Sequence, residues 1–149
     1  MKRIFGPDGL VSRNMSGYED RPGQEEMARA VERALDMGQY LVVEAGTGTG
    51  KTLAYLIPVF FSGFKTVIST GTKNLQEQVA YKDIPLTMQI TGLRPKICVM
   101  KGRANYICIY RWANLLARPR LKTEYDERYI KEIARWMEKT DTGDKAELK

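Results

Sequence analysis

The chain carries Ala45-Gly46-Thr47-Gly48-Thr49-Gly50-Lys51-Thr52 between a short β-rich run and a helical pattern. This stretch has the length and the Gly-Lys-Thr ending of a Walker A loop, with alanine where the common pattern begins with glycine. Glycines let successive backbone N–H groups turn toward one phosphate, and the N-terminus of the following helix favours negative charge. Lys51 can then reach the outer phosphates, and the Thr52 hydroxyl can hold magnesium. The stretch predicts a nucleotide-binding loop, and the alternative is an ordinary glycine-rich turn.

The segments around this loop predict the fold class. Strand-like runs are 40–45, 66–70 and 96–100, and helical patterns cover 24–37, 51–57, 73–81, 105–117 and 127–139. Gly38 is predicted to end the first helix and Pro58 to kink or end the second. Helices of ten or more residues between strands indicate right-handed βαβ crossovers. The expected class is therefore α/β, with a parallel sheet, flanking helices and extra C-terminal helices.

Composition limits the classes of function. The chain has 149 residues, of which 43% are hydrophobic and 28% charged, and these values are typical of one globular domain. Its net charge of +6 suggests a polyanionic partner. Histidine is absent, so a Ser-His-Asp triad and most zinc sites are excluded. Two cysteines and no apolar leader favour a reducing, cytoplasmic setting without a membrane partner, and Cys98 is expected to be a buried apolar residue.

Hydrolysis of a nucleotide needs an acidic residue that organises the metal and water. The one Asp-Glu dipeptide, Asp126-Glu127, follows a run too polar for a buried strand, and it is better interpreted as a solvated helix start. The sequence therefore predicts nucleotide binding without sustained hydrolysis by these residues alone.

A basic stretch runs from Arg94 to Lys122 without an acidic residue. Its charged members are Arg94, Lys96, Lys101, Arg103, Arg111, Arg118, Arg120 and Lys122, and its aromatic members include Tyr106, Tyr110 and Trp112. Single-strand binders combine such charges with stacking surfaces, and Lys101 and Arg103 are the candidate contacts. The alternative is a solvated basic face over a core that contains the aromatic rings.

Five segments carry a resemblance to a known family. They are Tyr18-Glu19-Asp20-Arg21-Pro22-Gly23-Gln24, Glu44 to Thr52, Ser69-Thr70-Gly71-Thr72-Lys73-Asn74-Leu75-Gln76-Glu77-Gln78, Met100-Lys101-Gly102-Arg103-Ala104-Asn105-Tyr106-Ile107-Cys108, and Thr140 to Leu148. Together they resemble the N-terminal part of a DinG/YoaA-type DNA helicase, a superfamily 2 group related to XPD. The second segment matches the family's Walker A form, including alanine at its first position.

The resemblance implies roles for individual residues. Gln24 would recognise adenine, although it could also simply lie near a helix N-terminus. Thr70 and Thr72 would contact the backbone of single-stranded DNA, and the alternative is a strand end followed by a helix cap. Cys108 would be the first thiolate ligand of a four-iron four-sulfur cluster in the intact parent. Two cysteines cannot supply the four thiolates that such a cluster ordinarily needs.

For the whole chain, the resemblance implies the N-terminal part of the first RecA-like, ATP-binding domain, with 101–149 as the start of the iron–sulfur region. The parent would be a 5′ to 3′ ATP-dependent DNA helicase that uses ATP and magnesium. Its partners would be single-stranded DNA and the remainder of the helicase chain. Two alternatives stay open, namely a small P-loop kinase and a non-enzymatic nucleic-acid binding module.

Overall fold

The computed structural model describes residues 1, 3–117 and 123–148, and it divides the chain into two compact units, Met1–Cys98 and Val99–Lys149. The first unit contains α1 (Leu10–Asn14), α2 (Pro22–Met37), α3 (Lys51–Ser62) and α4 (Lys73–Gln78), then a π-helical turn (Val79–Asp83) and α5 (Ile84–Thr91). The second unit contains a 3-10 turn (Arg103–Asn105), α6 (Ile109–Ala117), α7 (Glu124–Met137) and another 3-10 turn (Lys145–Glu147).

The core of the first unit lies between its helices. α2 packs along α3, and α3 and α1 also contact α5. One buried cluster consists of Phe5, Val11, Ala28, Leu53, Ala54, Ile57 and Ile90, and a second consists of Leu56, Val79 and Ile84. Helix α3 contributes to both clusters, so the apolar residues after the glycine-rich loop anchor that loop to the unit.

The predicted helix over 24–37 is confirmed as α2. Pro22 occupies the first turn, where its missing N–H costs no hydrogen bond. Gly38 ends the helix in the left-handed conformation, with φ 62°, as predicted. Pro58 does not end the second predicted helix, because α3 continues through this buried proline to Ser62.

The described residues do not form the predicted parallel sheet. Among the described residues the β pairing is a single isolated bridge, between Tyr106 and Asp144, and the runs 40–45, 66–70 and 96–100 are extended segments outside any ladder. Val42 and Val67 remain 95% and 89% exposed. β-propensity measures how well a side chain fits a pleated, half-buried surface. An apolar run without a neighbouring strand has no such surface to pack on, so its composition does not stabilise a strand. The predicted α/β class with a parallel sheet is therefore wrong for these residues, which form helices joined by segments outside regular secondary structure.

In the second unit, α7 begins with a capping box. The Thr123 hydroxyl accepts a hydrogen bond from the Asp126 N–H, and the Asp126 carboxylate accepts one from the Thr123 N–H. The interpretation of Asp126-Glu127 as a helix start is thereby confirmed. The predicted helix over 105–117 begins later, at Ile109, because Tyr106 and Ile107 are hydrogen-bonded to the 143–144 segment.

Within the described residues, no helix is both long and apolar enough to span a bilayer.

Leu56→Ala should lower the free energy of unfolding of the first unit by about 2–5 kcal/mol, because Leu56 is fully buried beside Val79 and Ile84. The measurement is urea denaturation followed by circular dichroism. Val42→Ala, at an exposed position, is the control and should change the value by less than about 0.5 kcal/mol. Equal losses in the two variants would contradict the packing described for α3.

Candidate functional site

The glycine-rich loop follows an extended segment and leads directly into α3. Gly48 and Gly50 have φ values of 80° and 75°, in the left-handed region that side chains with a Cβ rarely adopt. Helix α3 begins at Lys51, and among the described residues no side chain caps its N-terminus. The first N–H groups of a helix have no partner within the helix, so this end can donate to an anion.

Lys51 lies over the loop. Its Nζ donates to the carbonyl oxygens of Ala45 and Gly46, at 2.7 and 2.6 Å. The Thr49 hydroxyl also donates to the Gly46 carbonyl, at 3.0 Å, which holds the loop closed. Phosphate oxygens form stronger charge-assisted hydrogen bonds with an ammonium than neutral carbonyls do. A phosphate in the loop could therefore take over the contacts that Lys51 makes with its own backbone.

Gln24 lies in the first turn of α2 and contacts the end of the loop. Its side chain is buried, and its Nε2 donates to the Gly50 carbonyl at 2.9 Å. A Cβ added to Gly50 would lie 2.0 Å from that nitrogen. The residue with the predicted adenine role therefore touches the loop itself.

Arg21, the residue just before α2, also contacts the loop, and sequence reasoning did not single it out. Its Nη1 donates to the Gly48 carbonyl at 2.9 Å, and its Nη2 lies 3.3 Å from a Glu19 carboxylate oxygen. Arg21 belongs to the same family-like segment as Gln24, so the sequence marked the segment that contains it. Its contact with a carbonyl 27 positions further along the chain can be known only from the fold.

Thr52, the predicted magnesium ligand, lies in the first turn of α3. Burial, followed by the negative charge of Asp83, raises the pKa of Tyr55 above its usual 10.0, and the Thr52 side chain acts in the opposite direction. Asp83 is buried and accepts a hydrogen bond from Gln78 Nε2 at 3.1 Å. The sequence analysis assigned Asp83 no functional role.

Thr70 and Thr72, the predicted nucleic-acid contacts of the first unit, lie together just before α4. The Thr70 hydroxyl donates to the Thr72 carbonyl at 3.2 Å, and the Thr72 hydroxyl accepts from the Leu75 N–H as the N-cap. Thr72 is exposed, and Thr70 is half-buried. The hydroxyl proton of Thr72 remains able to donate to a phosphate, because capping uses only an oxygen lone pair.

Lys101 and Arg103 have different surroundings in the second unit. The Lys101 side chain is 5% exposed, and its Nζ lies 2.7 Å from Asp144 Oδ2. Arg103 is exposed in the 3-10 turn. Tyr110 is also exposed, whereas the Tyr106 hydroxyl accepts a hydrogen bond from the Lys101 N–H. Three other basic residues of this stretch, Arg118, Arg120 and Lys122, lie outside the described residues.

Both cysteines are exposed, so the expectation of a buried Cys98 is wrong. In the part of the chain that the structure describes, no group of three or more His, Cys, Asp or Glu side chains could hold a metal ion. The donors present therefore do not fit a complete iron–sulfur cluster, and Cys108 could supply one ligand at most.

Comparison with known proteins gives one family match and a consistent set of relatives. The family model for DEAD/DEAH box helicases matches residues 21–112. The chain is 43% identical to the ATP-dependent DNA helicase YoaA of Haemophilus influenzae over 95% of its length, and 45% identical to YoaA of Escherichia coli over 72%. It is 36% identical to the ATP-dependent helicase DinG of Mycobacterium tuberculosis over 89%.

These alignments cover 22%, 17% and 23% of the three relatives, so the chain spans about a fifth of their length. No solved structure gives a significant match.

Proposed function

Because the chain belongs to the DEAD/DEAH box helicase family, we propose that residues 1–149 bind ATP and magnesium as the N-terminal part of a helicase ATP-binding domain. The single observation that carries the proposal is the arrangement of the 45–52 loop. Its two left-handed glycines, the N-terminus of α3 and the Lys51 ammonium converge on one place. That combination is a phosphate-binding arrangement.

Each part of the loop has a role in this proposal. The backbone amides of the loop and the Lys51 ammonium would donate hydrogen bonds to the phosphates. These amides run from Ala45 to Thr52 and include those of Gly46, Thr47, Gly48, Thr49 and Gly50. The Thr52 hydroxyl would hold magnesium, which when bound neutralises phosphate charge. Gln24 would recognise adenine while its amide also contacts Gly50.

The nucleic-acid partner in this proposal is single-stranded DNA. Thr70 and Thr72 are the candidate contacts of the first unit, and Arg103 is the exposed cation of the 3-10 turn in the second. Exposed hydroxyls and guanidinium groups contact phosphate oxygens without reading sequence. Sequence-independent binding of this kind suits an enzyme that moves along a strand.

The whole parent protein would use these contacts for ATP-dependent 5′ to 3′ movement on DNA. Cys108 would supply one thiolate of a four-iron four-sulfur cluster there, and 101–149 would be the start of that region. We expect residues 1–149 to bind ATP without sustained hydrolysis, because the one Asp-Glu dipeptide is used in a helix start.

The experiment that tests the proposal measures magnesium-dependent ATP binding and ATP turnover by this chain, with and without single-stranded DNA. Binding without turnover is the expected result. A small P-loop kinase would instead transfer the phosphoryl group to an acceptor in a substrate panel. A non-enzymatic binding module would bind DNA equally with and without ATP.

Arg103→Gln should weaken binding of single-stranded DNA and lower the slope of log affinity against log salt by about 0.7, because one phosphate contact is lost. Fluorescence anisotropy of a labelled oligothymidine at several salt concentrations measures both quantities. Arg13→Gln removes the same charge from an exposed position on α1 and serves as the control. An equal loss of slope in both variants would indicate a general charge effect and refute the contact.

A further inference from the structure

Two segments that are distant in sequence lie side by side in the second unit. Tyr106 and Asp144 form an antiparallel bridge, and the Ile107 N–H donates to the Gly143 carbonyl at 2.9 Å. At the same place Lys101 Nζ lies 2.7 Å from Asp144 Oδ2, with the two side chains 5% and 13% exposed. We refer to the Lys101–Asp144 pair as the latch, since it joins the 99–108 segment to the 140–148 segment.

The 99–108 side of the latch is held by its own hydrogen bonds. The Lys101 N–H donates to the Tyr106 hydroxyl at 2.8 Å, and the Asn105 N–H donates to the Gly102 carbonyl at 2.8 Å. These bonds enclose the 3-10 turn that carries Arg103. The position of that turn therefore depends on where Lys101 and Tyr106 are fixed.

The 140–148 side is held in the same way. Asp144 Oδ1 accepts from the Ala146 N–H at 3.0 Å, which leaves Oδ2 for Lys101. The hydroxyls of Thr140 and Thr142 donate to the Glu147 carboxylate at 2.6 and 2.5 Å. The carboxylate of Asp144 thus has a fixed orientation, and Lys101 meets a preformed acceptor.

Burial makes this pair costly to break. Removing one partner of a buried ion pair leaves the other charge without compensation in a poorly solvated place. A DNA phosphate that attracted the Lys101 ammonium would therefore have to compensate for the loss of this buried ion pair. Arg103, which is exposed two residues further on, carries no such penalty.

We propose that the latch positions the 3-10 turn for nucleic acid, with Arg103 as the direct phosphate contact and Lys101 as a positioning residue that does not touch DNA. The role toward DNA rests on the proposed function. That the latch links the two segments does not depend on the proposed function.

Amide hydrogen exchange in the chain tests the latch without any ligand. Lys101→Met and Asp144→Asn should each lower the protection of the Ile107 amide at least about tenfold, because each breaks the buried ion pair. The double variant, in which neither charge is left, should lose no more than the single variants. The asparagine can still accept the Ala146 hydrogen bond, so the cap is kept.

Two controls accompany the exchange experiment. Lys145→Met removes an exposed positive charge from the same segment and should leave Ile107 protected. The Ala54 amide, which donates to Gly50 in the first unit, reports on unfolding elsewhere and should not change. Unchanged protection of Ile107 in both single variants would overturn the latch, and so would additive losses in the double variant.

DNA binding tests the positioning role. Lys101→Met and Asp144→Asn change the net charge in opposite directions, yet both should weaken oligothymidine binding by a similar factor. Neither should weaken it further in an Arg103→Gln background. If Lys101 contacted phosphate, Lys101→Met alone would lower the affinity and the salt slope, whereas Asp144→Asn would leave binding unchanged or tighter.

The two proposals fail in distinguishable ways. If the unaltered chain bound no DNA, the DNA contact and the positioning role would both be refuted, and the exchange results would still decide whether the latch exists. If the chain bound DNA but only Lys101→Met weakened binding, the proposed DNA contact would survive and the positioning role would be overturned.

Discussion

Lys51→Ala is expected to lower the affinity of the chain for ATP with magnesium at least about 100-fold, since each charge-assisted hydrogen bond to phosphate contributes about 1.5–3 kcal/mol. The ammonium of Lys51 already lies 2.7 and 2.6 Å from two loop carbonyls, so it needs little movement to reach a phosphate. The fold should be unaffected, because those two carbonyls can hydrogen-bond to water instead. Isothermal titration calorimetry gives the affinity, and circular dichroism checks the fold.

Lys65→Ala is the matched control, because it removes the same charge from an exposed position in the first unit. It should leave the affinity within about twofold of the original, as screened surface charges contribute little. If Lys51→Ala bound nucleotide as tightly as the unaltered chain, the loop would not be the phosphate site.

Gly50→Ala should have the second largest effect, combining destabilisation with loss of nucleotide binding. At φ 75° an L-residue costs about 1–2 kcal/mol. The new Cβ would also lie 2.0 Å from Nε2 of the buried Gln24, so the glutamine or the loop must move. We expect a loss of about 2–4 kcal/mol in the free energy of unfolding, as for backbone strain combined with overpacking. Urea denaturation and calorimetry with ATP measure the two effects.

Two variants separate the causes. Gly63→Ala has a similar φ of 67° with open space around its Cβ, so it should show the backbone cost alone. Adding Gln24→Ala to Gly50→Ala removes the colliding side chain and should recover part of the stability. If Gly50→Ala and Gly63→Ala lowered the free energy of unfolding equally, the Gln24 side chain would not be in close contact with the loop at Gly50.

The sequence was most informative where function depends on short-range geometry. A phosphate loop needs glycines, a lysine and a threonine at fixed spacing, and those residues are recognisable without knowing the rest of the fold. The resemblance of the five segments to DinG/YoaA-type helicases is confirmed by the family match over residues 21–112 and by the YoaA and DinG relatives. Helix α2 was also predictable, because the helical spacing of its apolar residues and the glycine at its end, Gly38, are both features of the local sequence.

The sequence was misleading where structure depends on distant partners. The strand-like runs have the composition of buried strands, but whether they pair depends on neighbours, and among the described residues they stay unpaired. Lys101 and Arg103 look equivalent as basic residues two positions apart. Only the position of Asp144, far along the chain, distinguishes a buried ion pair from an exposed cation. Asp83 and Arg21 gained their contacts from the fold in the same way.

NMR titration of the ¹⁵N-labelled chain with ATP and magnesium shows whether the 45–52 loop is the place where this chain binds nucleotide. We expect the largest amide shifts between Gly46 and Thr52, with a smaller change at the Gln24 side-chain amide that donates to Gly50. Saturable shifts confined to residues outside the loop, or no saturable shift at all, would contradict this expectation.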